Sequence, residues 1–77
     1  MKLNDGAVNQ TYRVVKVSGL DLPVERRLEA LGLTEGTEIA VLNKKKHGAI
    51  IVKVRGTRFA IGQNIAAGIW IEAATVS

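Results

Sequence analysis

Residues 38–61 read EIAVLNKKKHGAIIVKVRGTRFAI. Apolar side chains alternate with polar ones here, and the alternation breaks only where turn residues stand. Period two is the signature of strands with one face turned to a core. Residues 38–43 form one strand, with Ile39 and Val41 on one face and Ala40 and Leu42 on the other. Lys44, Lys45, Lys46, His47 and Gly48 make a polar hairpin tip. Residues 49–54 form the next strand, with Ile50, Val52 and Val54 inward and Ile51 and Lys53 outward. Arg55 and Gly56 fit a two-residue turn. Residues 57–61 return as a third strand, with Phe59 and Ile61 inward.

The pattern extends in both directions. Residues 12–17, YRVVKV, are β-branched and aromatic and stop at Gly19. Val14 and Val17 differ in parity, which fits either a β-bulge or a stretch buried on both faces. Between residues 21 and 31 the period changes. Val24, Leu28 and Leu31 fall at i, i+4 and i+7, on one face of a helix. Asp21 or its neighbour caps the start, and Pro23 sits in the first turn, where a missing N–H costs nothing. Gly32 follows as a residue able to take positive φ, with Leu33 free to fold back on the helix. Residues 34–37 read as a turn with Gly36 at a positive-φ position. Residues 62–67 make one helical turn burying Ile65 and Ala66. Residues 69–72 are a last strand, with Ile69 and Ile71 inward and Trp70 outward. Residues 1–11 are an N-terminal arm, and residues 73–77 a loose tail.

Five short strands with tight turns predict a mainly β domain, a small five-stranded barrel that is closed or nearly so. Closure removes the edges that an open sheet would expose. One short helix follows strand one, and a helical turn precedes the last strand. With 77 residues the chain is a single domain spanning residues 1–77. A core of this size rarely supplies more than about 3–5 kcal/mol of net stability.

The chain has no cysteine, so disulfides and thiolate metal sites are excluded. That suits a reducing, intracellular compartment. The first ten residues lack the apolar segment of a secretory signal. No apolar run approaches the roughly 18 residues of a membrane span. These features predict a cytoplasmic protein without membrane insertion. The net charge of +4 and pI of about 9.9 admit a nucleic acid, an acidic protein face or anionic lipid as partner.

From residue 12 to residue 72 the sequence resembles the FeoA family, the small component of bacterial ferrous iron uptake. The helix-and-turn motif RLEALGLTEG at residues 27–36 carries the resemblance. Val14 and Val17 of strand one, VRGTRFAIG at residues 54–62 and IAAGIWI at residues 65–71 support it. Two features depart from the family's pattern. Glu35 stands where proline usually precedes the turn glycine. In the arm, Asn9 takes the place of a glycine, and Gly6 that of an apolar residue. The resemblance implies an SH3-like barrel, a place in the cytoplasm or at the inner membrane through a partner, and association with the cytosolic GTP-binding region of the membrane iron permease FeoB. The same module ends DtxR-type metal-dependent repressors, where it can supply metal ligands.

No catalytic constellation is present. His47 is the one histidine and stands beside three lysines, and no glycine-rich loop leads into a Lys-Ser/Thr pair. The chain is therefore read as a non-enzyme that needs no cofactor. For a transition metal the nitrogen donors reduce to His47, and Glu25, Glu29, Glu35 and Glu38 offer at most a weak site. Nucleic acid fits poorly, because Tyr12, Phe59 and Trp70 are too few for a stacking platform.

The candidate partner-binding residues are Trp70, Arg27, Leu33, Lys44, Lys45, Lys46 and Ile51. Each has a plainer reading beside it. Trp70 is an outward anchor or lies over the barrel rim against the arm. The lysine triplet meets an acidic face or is a solvated tip. Arg27 sits in the helix–turn segment at a solvent-type position. Ile51, with Leu42, extends an outward patch or is ordinary surface. Leu33 is exposed or closes the helix by a Schellman contact, the reading that its place after Gly32 favours.

Overall fold

The computed structural model of the chain describes residues 1–46 and 48–74. The run 38–61 folds as expected into three antiparallel strands. They are β2 (Glu38–Lys44), β3 (Ile50–Val54) and β4 (Thr57–Ile61). Every inward residue predicted on β2 and β3 is buried, and so is Ile61 of β4. Phe59 is only half-buried and packs on the margin of the core. Arg55 and Gly56 both take positive φ, 51° and 81°. That pair of angles makes the primed turn whose twist matches a hairpin.

β1 (Gln10–Val17) pairs with β2 on one side and with β5 (Ile69–Ala73) on the other. The parity break in YRVVKV is a bulge. The β1–β5 register shifts between Val14 and Lys16. Val14 is buried, Val15 is exposed and Val17 returns to the core margin. Beyond the ladder, the turn at residues 34–37 is laced to β1. The Val14 amide donates to the Thr37 carbonyl at 2.9 Å, and the Gly36 amide to the Val14 carbonyl at 2.8 Å.

The sheet order is β4-β3-β2-β1-β5. The expected closure is therefore not made by a ladder, since β4 and β5 are edges. Only residues 62–68 join these two edges, and their middle is α2 (Gln63–Ala66). The five strands, α1 and α2 all contribute to one core of buried apolar side chains. All buried residues among those described are apolar or glycine; none is polar or charged.

α1 (Leu22–Ala30) begins at Asp21, whose backbone is extended, and carries Pro23 in its first turn. Its end departs from the periodicity. Leu31 is 38% exposed, while Leu33 is 1% exposed. The helix stops one residue before Leu31, and Gly32 turns the chain at φ +92°. The Leu33 amide then donates to the Leu28 carbonyl at 2.9 Å and the Gly32 amide to that of Glu29 at 3.0 Å. This is a Schellman closure, and it swings Leu33 into the core. Leu33 is thus no outer contact residue.

The arm is more structured than expected. Gln10 and Thr11 already belong to β1, Asn9 takes the left-handed conformation at φ 69°, and Leu3–Asp5 forms a 3₁₀ turn. Leu3 is completely enclosed. Gly6 is buried too, and a Cβ there would stand 3.2 Å from Tyr12 and Val41 side-chain atoms. At the other end, Ala73 is paired in β5 instead of starting a loose tail, and residues 75–77 lie outside the described residues.

The approach of β5 to the segment after β1 is tight. The Ser18 amide donates to the Gly68 carbonyl at 2.9 Å. A Cβ on Gly68 would fall 2.7 Å from the Ser18 carbonyl oxygen and 2.6 Å from Cγ of Leu20. Gly68→Ala is expected to lower stability by about 1–3 kcal/mol through overpacking. A urea midpoint equal to that of the parent would show that the 18–20 segment yields freely.

Candidate docking surfaces

Three open depressions and one aromatic position stand out on the surface of the described residues.

The lysine triplet borders an open basin of about 520 Å³, with Asn4, Gly48, Ile50 and Gln63 as its other walls. The hairpin tip is not simply solvated. Lys44 Nζ donates to the Asn4 carbonyl at 2.9 Å, which ties the tip to the arm. Asn4 Nδ2 in turn donates to the Gln63 carbonyl at 3.2 Å, while Asn4 Oδ1 is buried without a partner among the described residues. Lys45 and Lys46 stay exposed. His47 lies outside the described residues.

A second depression, about 230 Å³, runs between α1 and α2 and is mostly apolar. Pro23, Val24, Leu28 and Ile65 line it, with Arg27 on its rim. Leu22, at the helix's first position, and Leu31, just past its last, are 56% and 38% exposed. This surface arises because α1 encloses only Leu28 completely.

A third, about 260 Å³, is lined by Lys16, Val17, Glu25, Glu29, Thr34 and Glu35, with Leu33 at its base. Three of the four expected carboxylates do meet here, and Glu38 does not. They do not converge, for no group of three acidic or histidine side chains among the described residues is disposed to hold a metal ion.

Trp70 lies on the outer face of β5, against the arm. Lys2 bridges to it, and the ammonium groups of Lys2 and Lys16 stand 5.5 and 5.3 Å from its ring centre. Both are within cation–π range. Ile51 is half-buried on the outer face of β3, beside Ala60 of β4.

The candidate residues therefore do not form one site. The lysines stay together, Arg27 belongs to the α1 groove, Trp70 sits on the β1–β5 side and Leu33 is core. Sequence reading missed Ile65, Asn4 and Gln63, which meet their neighbours only through long-range folding.

A family model described as the FeoA domain matches residues 1–73. This chain belongs to the FeoA family. Among solved structures, the FeoA protein of Chlorobium tepidum superposes with a TM-score of 0.89 at 30% identity, over 97% of this chain and 71% of that one. A FeoA described as an iron uptake regulatory protein gives 0.82 at 32% identity, over 92% and 93% of the two chains. The Stenotrophomonas maltophilia FeoA, complexed with zinc, gives 0.81 at 28% identity, over 94% and 89%. That protein is described as a prokaryotic SH3 domain protein with a suggested role as a bacterial ferrous iron transport activating factor. No curated protein sequence matches significantly. The mainly β, SH3-like fold of this FeoA-family chain follows. No helix among the described residues is long and apolar enough to cross a membrane.

Proposed function

We propose that this FeoA-family protein is a cytoplasmic accessory factor of ferrous iron transport. It binds and modulates the FeoB-type membrane permease at its cytosolic GTP-binding region, and it performs no catalysis itself. The observation that carries this reading is the half-open α1 groove. Pro23, Val24 and Ile65 leave apolar surface in water around the buried Leu28, Leu31 follows on the same side of the helix, and Arg27 borders it. An apolar centre with a charged rim is the usual build of a protein-binding patch. Where the core holds only apolar side chains, function falls to the outer wall.

The test is calorimetric titration of the chain with the permease's isolated GTP-binding domain. Leu31→Glu places a charge beside the patch without touching a buried residue. This variant is expected to bind at least about tenfold more weakly, as loss of a central contact usually does. Undiminished affinity in the variant, or no binding of the parent at low salt, would sink the reading.

A further inference from the structure

The cations of this chain are unevenly placed. Between Ile39 and Ile71 the sequence holds Lys44, Lys45, Lys46, Lys53, Arg55 and Arg58 and not one carboxylate. All seven acidic residues lie in residues 1–38 or at Glu72. The structure gathers the consequence on the outer face of the β3–β4 hairpin. Lys53 and Arg58 are register partners, both exposed, on adjacent strands. Like charges placed directly opposite each other destabilise a sheet. No carboxylate among the described residues pairs with either cation, for the ion pair found there is Arg13–Glu72, on the β1–β5 side of the sheet.

The same strand has an open edge. In a two-residue hairpin the residues flanking the turn, here Val54 and Thr57, form a hydrogen-bonded pair, and such pairs alternate along the ladder. The backbone groups of Thr57, Phe59 and Ile61 therefore face β3, and those of Arg58 and Ala60 face outward. Among the described residues no further backbone hydrogen bond reaches β4. The opposite edge is treated differently. β5 is covered by the arm, with the Ile71 amide donating to the Met1 carbonyl at 2.7 Å and Lys2 bridged to Trp70.

We infer that the β4 edge receives an extended acidic segment of another protein, which adds as a sixth strand and sets a carboxylate beside Arg58 and Lys53. Strand addition supplies what Arg58 and Ala60 lack in backbone partners. The carboxylates supply the missing counter-charge. A polynucleotide would answer the charge alone. It would find no stacking surface, because the exposed positions of this hairpin face are Lys53, Arg58 and Ala60, with Ile51 half-buried, and no aromatic stands among them. The inference does not rest on the permease being the partner, and its surface is distinct from the α1 groove.

A capped peptide of alternating glutamate and threonine, titrated into the isotopically labelled full chain and followed by NMR, tests it. The amides of Arg58 and Ala60 should shift most, and the shifts should collapse as salt rises to about 0.5 M, where the screening length is only a few ångströms. A lysine–threonine peptide should leave them unmoved. Arg58→Glu separates binding from folding. It converts a repulsive cross-strand pair into an attractive one, so the urea midpoint should rise while peptide affinity falls about tenfold or more. Four results would overturn the inference: no shift at millimolar peptide, shifts centred on α1 or Trp70, equal binding of the basic peptide, or unchanged affinity in Arg58→Glu. Tighter binding of an oligothymidylate to the same amides would also overturn it and assign the face to nucleic acid.

Discussion

Leu3→Ala is expected to lower stability by about 2–5 kcal/mol, the range for emptying a fully buried leucine site. For a domain whose net stability is of order 3–5 kcal/mol, that places the variant close to its unfolding midpoint in plain buffer. Leu3 is 0% exposed although it stands third in the chain. Its position is held by a 3₁₀ turn, by the Gly6 amide donating to the Leu3 carbonyl at 3.0 Å, and by the pairing of Met1 with Ile71 on β5. Because Gly6 already brings the backbone against Tyr12 and Val41, the surroundings have little freedom to collapse into the space. Trp70 is a natural reporter, since Lys2 lies on its ring. Urea titration by tryptophan fluorescence reads the loss directly. Lys2→Ala is the control, with an expected cost below about 1 kcal/mol, the worth of an exposed cation–π contact. A Leu3→Ala midpoint as high as that of Lys2→Ala would show that the arm is a dispensable appendage.

The arm also marks where sequence reading ran out. Residues 38–61 were legible because both signals there are local. Strand alternation has a period of two, and the Arg55-Gly56 turn announces itself by residue type. The bulge in β1 was half-legible: the parity break in YRVVKV showed that something happens near Val15, and only the β5 register decided what. In MKLNDGAVNQ no period exists. Leu3 is core because the arm folds against α2 and β5, far along the chain, and nothing near Leu3 records them. Whether the ladder closes fully or only nearly was not legible for a related reason. Alternation says that a strand has a buried face, but it does not say whether the outer strands meet. The docking surfaces follow the same rule. The lysine tip was visible as a run, whereas the α1 groove needs Ile65 from α2 beside Val24 and Leu28 from α1.

Leu31 and Leu33 give the sharpest case, and they carry a large prediction. Helical periodicity selects Leu31 for the core, at i+7 from Val24. The structure selects Leu33, because the helix ends at Ala30 and the Gly32 reversal breaks the period before Leu31 can use it. Leu33→Ala is therefore expected to cost about 2–5 kcal/mol, by emptying a core site and removing the apolar contact that completes the Schellman closure. Leu31→Ala, at a surface position, should change stability by no more than about 0.5 kcal/mol. Paired urea denaturation curves decide between the two readings. If Leu31→Ala were the more damaging, the helix would continue through Leu31 and the closure at Gly32 would be wrong. The expected order leaves Leu31 free of any duty in the core. That freedom is what allows Leu31→Glu to probe docking at the α1 groove with the fold intact.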